Sequence, residues 1–210
     1  APTGATAAAL IPDGTYMQGW ERVKASQLQF TGTKSFPNVM GAEQLILVGE
    51  VGFNWFHNLP DHLRFNAPGV YLPATQFGAV LSSAFSVQPE DSFLTEFSWG
   101  YRLAGRVEYA NALFGGNLAP RFAFAHDVKG VGPNFNEKVK SASVGVSWDY
   151  QRRWIVDAQY TGFFGGRTYC GTDVPPPGGV VTPGQPASWC SSTNQIRDRD
   201  FYSFSVSYSF

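Results

Sequence analysis

The segment from Asp200 to Phe210 reads DFYSFSVSYSF, in which Tyr202, Phe204, Val206, Tyr208 and Phe210 alternate strictly with Ser203, Ser205, Ser207 and Ser209. A β-strand, whose successive side chains point to opposite faces, turns this order into one apolar face and one hydroxyl face. A helix would scatter both sets around its circumference. About ten residues is also the length a tilted strand needs to cross a bilayer, with aromatics near its ends at the water interface. An edge strand of a secreted sandwich satisfies the same pattern, so the rest of the chain has to decide between them.

The period of two recurs along the chain. Phe97, Trp99, Tyr101, Leu103, Val107, Tyr109 and Leu113 oppose Ser98, Arg102, Ala104, Arg106, Glu108 and Ala110. After Gly115 and Gly116, Leu118, Pro120, Phe122 and Phe124 oppose Ala119, Arg121, Ala123 and Ala125, which predicts the return strand of a hairpin. Ala142, Val144, Val146, Trp148 and Tyr150 form the next apolar set, and Trp154, Val156, Ala158, Tyr160 and Phe164 the one after the short turn Gln151, Arg152, Arg153. Earlier, Leu45, Leu47, Val51, Phe53 and Trp55 alternate with Gln44, Glu50 and Asn54, although Ile46 and Val48 blur the polar side. The first candidate, Thr15 to Lys34, is regular only in its second half.

Composition sides with membrane strands. Charged residues make up 15% of the chain, against about a quarter in soluble domains, while aromatics reach 16%. No apolar run approaches the roughly 18 residues of a membrane helix, whereas a barrel hides its hydrophobicity in every second residue. The expected fold is therefore all-β, an antiparallel transmembrane β-barrel with about seven or eight strands in this chain. A net charge of −1 and the lack of a basic stripe give no field for nucleic acid.

Links alternate in length, as an outer-membrane barrel requires. Short ones fall at 36–42, 114–117 and 151–153, and long outer loops at 57–95, 126–138 and 165–199. Residues 1–14 are expected to be an extracellular or linker segment, and 15–210 the C-terminal strands of a barrel. Seven crossings are an odd number, where bacterial single-chain barrels have even ones. That parity leads to the expectation that the chain is the last portion of a larger barrel. The competing count makes 77–87 an eighth strand of a small closed barrel. The opening APTGATAAALIPDG lacks a signal peptide's basic start and long apolar core, so the chain is expected to be mature or to begin within a longer precursor.

Sorting the charges by face puts Glu50, Arg102, Arg106, Glu108, Arg121, Asp149 and Asp157 on the non-aromatic side, the expected lumen. A charge on the lipid side costs about 2–4 kcal/mol at the midplane. These seven residues either line a channel or simply pair across strands, as Arg106 or Arg121 would with Glu108. Trp55, Trp99, Trp148, Tyr150 and Trp154 fit interfacial girdles. Cys170 and Cys190 lie in one Gly/Pro/Ser/Thr-rich stretch. Joined in an oxidising compartment they would contribute about 3 kcal/mol; two free thiols are the alternative.

No catalytic constellation assembles: His57, Asp61 and His62 lack a third nitrogen or sulfur ligand, His126 with Asp127 is a strand-end pair, and the serines lie along a strand face without an activating base. The expectation is a non-enzyme without metal or cofactor.

The ending, with apolar Tyr202, Phe204, Val206, Tyr208 and terminal Phe210, resembles the assembly signal of bacterial outer-membrane barrels. The stretches LVGEVGFNWFHNLPD, FSWGYRLAGRVEYANALFGGNLAPRFAFAHDVKG, SASVGVSWDYQRRW with YTGFFGG, and DRDFYSFSVSYSF together resemble the C-terminal part of a large proteobacterial outer-membrane protein family of unknown function, domain-of-unknown-function family 1302. The resemblance implies a bacterial outer-membrane location, contact with outer-membrane lipids and assembly by the barrel-assembly machinery. It also implies association with a periplasmic lipoprotein-carrier-like protein and an inner-membrane exporter, with the remaining N-terminal strands supplied upstream or by a separate chain. The expected function is a channel or transporter for hydrophobic or lipid-like compounds. The alternative is a structural or adhesive surface barrel whose outer loops bind a partner.

Overall fold

Alternation of apolar and polar side chains becomes one antiparallel sheet. The computed structural model describes residues 14, 16, 19–60, 65, 93–170 and 190–210, with the backbone alone at 169, 170, 190 and 191. The strands are β1 (Lys24–Pro37), β2 (Gln44–His57), β3 (Phe97–Leu113), β4 (Gly116–Lys129), β5 (Val139–Tyr150), β6 (Trp154–Gly165), β7 (Thr168–Cys170), β8 (Cys190–Ser192) and β9 (Phe201–Tyr208). Seven of them form a sheet in the order β1-β2-β3-β4-β5-β6-β9, and β7 pairs with β8 in a separate ribbon. Among the described residues there is no helix.

The sheet is open rather than closed. Among the described residues β1 pairs only with β2, and β9 only with β6, so the small closed barrel is not formed by these seven strands. The candidate eighth strand, 77–87, lies outside the described residues. The first strand begins at Lys24, which leaves the irregular half of 15–34 outside the sheet.

A secreted sandwich would bury one face under a second layer. Here the buried hydrophobic residues, among those described, are only Ala42, Ala119, Val131 and Phe135. Every residue of β1 and β9 is exposed, Phe30 at 58% and Phe204 at 72%. Nothing among the described residues covers the apolar face, so the sandwich alternative lacks the core it needs.

Register fixes which residues share a face. One row crosses all seven strands through Lys34, Leu47, Gly105, Phe122, Val144, Tyr160 and Tyr202, and a row further along on the same face runs through Phe30, Val51, Tyr101, His126, Lys140 and Phe164. Within the strands this face holds no Asp or Glu, and its lysines sit near the strand ends, at Lys24, Lys34, Lys129 and Lys140.

The short connections all lie at the end where β9 finishes, since Trp154 pairs with Tyr208. The β3–β4 link is two residues, Phe114 at φ 50° and Gly115 at φ 78°, both left-handed as a tight hairpin turn of right-twisting strands demands. Gln151 and Arg152 turn the β5–β6 link the same way, at φ 55° and 57°.

Candidate functional site

On the opposite face, pairing brings the predicted charged residues together. Arg102 is the register partner of Glu50, Arg106 of Arg121, and Glu108 of Gln44, while Asp149 and Asp157 occupy the same alternate positions in β5 and β6. All seven residues thus share one face.

Three of the arginines hold carboxylates. The Arg121 guanidinium makes a two-pronged bond to Asp157, Nη1 to Oδ2 and Nη2 to Oδ1, each 2.7 Å. Its Nε and Nη2 also donate to Gln159 Oε1 at 3.3 and 2.9 Å. The side chain reaches β6 by crossing β5 at Gly145, where a Cβ would stand 3.1 Å from the guanidinium carbon. Arg106 Nε meets Glu108 Oε1 at 3.2 Å, a contact along its own strand rather than the cross-strand pairing expected, and Arg121 bypasses Glu108. Asp149 accepts from the Arg152 backbone amide at 2.9 Å, and Glu50 from Thr31 Oγ1 at 3.2 Å.

Arg102 donates from Nη2 to Asp127 Oδ1 at 2.8 Å and from Nη1 to the Tyr101 carbonyl. The period of two running on from Arg121 reaches Asp127, yet the sequence reading had the strand end at His126. In the structure β4 continues through Lys129, so Asp127 belongs to the polar face.

The segment after β4 turns inward over this face. Phe135 lies where Cβ atoms at Gly52 and Gly100 would be, 2.9 and 2.8 Å from its ring atoms, so the paired glycines of β2 and β3 form its seat. Val131 is 1% exposed and exchanges bonds with Thr95, whose amide donates to its carbonyl and whose hydroxyl accepts from its amide. The Asn136 amide donates to Asp127 Oδ2 at 2.9 Å, and the Arg102 guanidinium lies 5.7 Å from the Phe135 ring centroid.

The apolar face carries two aromatic groups. Phe53, Trp55, Phe97 and Trp99 stack at the end with the long connections, while Trp148 stacks on Tyr150 and Trp154 meets Tyr208 at the short-turn end. All five predicted girdle residues fall in these groups. Of the terminal apolar set, Tyr202, Phe204, Val206 and Tyr208 line β9 on this face, and Phe210 follows the strand with its ring against Tyr208.

The family profile described as Protein of unknown function (DUF1302) matches residues 1–210. The chain belongs to this family. No curated protein and no solved structure matches it significantly.

In this DUF1302 chain the segment after β4 is also tied to the segment after β6. Arg167 Nη2 donates to Glu137 Oε1 at 2.8 Å, and the Gly130 amide to Glu137 Oε2 at 3.2 Å. Burial pushes the Glu137 carboxyl up, but the Arg167 hydrogen bond, the Gly130 amide and the positive charge nearby outweigh it and hold the group below the usual carboxylate range. Beyond β6, Thr193 and Asn194 are buried, with Asn194 Nδ2 donating to the Phe164 carbonyl.

The ribbon of β7 and β8 was not foreseen inside the 165–199 loop. It makes Cys170 and Cys190 direct cross-strand partners. Paired positions in an antiparallel ladder lie about 4.5–5.5 Å apart at Cα, within the range a disulfide spans. Of the histidines considered for metal, His57 Nε2 lies 2.8 Å from Ser26 Oγ, and Asp61 and His62 lie outside the described residues.

Proposed function

We propose that this chain is part of the wall of a bacterial outer-membrane β-barrel that passes hydrophobic or lipid-like compounds. The observation carrying this reading is the division of one sheet into a face without carboxylates, bounded by aromatic groups, and a face holding every predicted lumen charge. On β3, Trp99 and Tyr109 bound ten residue steps, about 33 Å along the strand. Tilted by about 40°, that length covers about 25 Å of height, the apolar band of an outer-membrane barrel. Lys34 and Lys140 sit where their ammonium groups reach the headgroups.

In this reading the apolar face meets outer-membrane lipids, the other face lines the lumen, and the free edges of β1 and β9 take up further strands of the barrel. The barrel-assembly machinery would insert it, with β9 carrying the assembly signal. A periplasmic lipoprotein-carrier-like protein and an inner-membrane exporter would deliver or receive the solute. Cys170 and Cys190 would join across the outer ribbon.

Two measurements test the reading. Val144→Arg, on the apolar face, is expected to cost about 2–4 kcal/mol in lipid, whereas Ser143→Arg, one residue away on the other face, is expected to be nearly neutral; equal costs would sink the membrane assignment. Liposomes carrying the full-length protein, with the strands that complete the barrel, should become permeable to a hydrophobic dye, and no flux of any solute would sink the transport part.

A further inference from the structure

Between the two arginine levels of the polar face lies a level without charge. The row through Thr33, Val48, Ala104, Ala123, Ser143 and Thr161 separates Glu50 and Arg102 on one side from Arg106 and Arg121 on the other. Ile46 and Val48, the two residues that break the polar pattern of β2, stand in register with Arg106 and Ala104. They close a groove of about 280 Å³ lined by Ile46, Val48, Ala104, Ala123, Arg106 and Arg121. An apolar strip on a water-facing wall is wasteful unless an apolar solute lies on it.

The arginines at its edge differ. All the donors that Arg121 points toward β6 are engaged by Asp157 and Gln159. Arg106 touches Glu108 through Nε alone, and its side chain remains 53% exposed. Its two terminal nitrogens present the planar fork that grips a carboxylate. Arg121, the register partner of Arg106, turns away across β5 to Asp157, which leaves the Arg106 terminal nitrogens facing the groove. Glu108 and Asp157 are paired with these same arginines, and Glu43 and Asp149 line a separate hollow on the other side of Arg106.

We infer that this groove is a binding site for a single-chain anionic amphiphile, with its carboxylate on Arg106 and its alkyl chain across Ile46, Val48, Ala104 and Ala123. The inference rests on the proposed lumenal role of this face and narrows its solute from hydrophobic compounds in general to those carrying an anionic head.

Octanoate titrated by calorimetry into the full chain in lipid nanodiscs, with empty nanodiscs subtracted, tests it. Octanoate should bind, octanol should bind at least tenfold more weakly, and Arg106→Gln should remove that preference. Arg106→Lys, which keeps the charge and loses the fork, should fall between them. Ala123→Trp, which fills the groove without touching a charge, should abolish binding; a shift in gel migration between unheated and heated protein, the same as in the parent chain, would show that each variant is folded. Equal binding of octanoate and octanol, or an unchanged affinity in folded Arg106→Gln, overturns the inference. Dye flux through liposomes separates the two readings: flux without octanoate selectivity overturns this site alone, and octanoate binding without flux overturns transport alone.

Discussion

The two ends of the polar face are held in opposite ways. At the end with the long connections, a loop side chain, Phe135, drops onto paired glycines, and the same loop is anchored by the buried Val131 and lays Gly130 and Gly132 against the buried Ser98. At the short-turn end, no loop among the described residues covers the face, and an ion pair laid flat across a glycine, Arg121 to Asp157 over Gly145, joins three strands instead. Packing organises the first region, and charge pairing the second. The difference teaches that one kind of vacancy, a glycine on the polar face, serves an apolar contact where the loop excludes water and an ionic one where water remains.

Substitutions should break the two regions by different amounts. Phe135→Ala removes the largest apolar contact and should cost about 3 kcal/mol in urea unfolding of the lipid-reconstituted chain, with enhanced protease cutting within 130–138. Less than 1 kcal/mol would mean that the loop is not held by its seat. Asp157→Ala should cost about 2 kcal/mol because it strands the Arg121 guanidinium, whereas Arg121→Met combined with Asp157→Leu should be near neutral; a double variant as unstable as the single one would show that the pair itself supplies the stability. Gly145→Val should cost about 1–2 kcal/mol by pushing the guanidinium off β5, and Gly145→Val in an Arg121→Ala background should cost less if that is the cause.

The smallest effect is expected at Glu137. Its carboxyl titrates lower in the folded chain than the unfolded value of about 4.3, so its contribution is complete above that value and is lost as pH falls through the folded one. Glu137→Gln should therefore cost about 1 kcal/mol at neutral pH and nothing once the acid has been protonated. A cost that persists at pH 2 would assign the effect to packing rather than charge.

Much of this fold is legible in the sequence because it depends on a local period. Alternation alone sorts Glu50, Arg102, Arg106, Glu108, Arg121, Asp149 and Asp157 to one face, since every strand of the sheet obeys it. What escapes is what depends on distant residues meeting. Phe135 sits in VGPNFNEK, a polar loop with one aromatic, and its seat is two glycines in other strands that read as ordinary strand interruptions. Arg121 finds Asp157 two strands away because Gly145 clears the path, and the nearer Glu108 was the natural guess from sequence distance. The β7–β8 ribbon rests on three residue pairs, too few for a period to show. Ile46 and Val48 were visible as a fault in the pattern, but their meaning needed the register that places them beside Ala104 and Arg106.

The exposed β9 edge has a consequence for the chain before it reaches its final place. FYSFSVSY has no charge, no proline and no glycine, and among the described residues its backbone is unpaired along one side. Segments with those properties stack with copies of themselves into dry, interlocked fibrils. In water, therefore, the most ordered alternative open to this polypeptide is an aggregate seeded at β9. On the route to the outer membrane proposed above, a chaperone that shields this strand would counter that aggregate, and Ser205→Lys should slow fibril growth of the denatured chain.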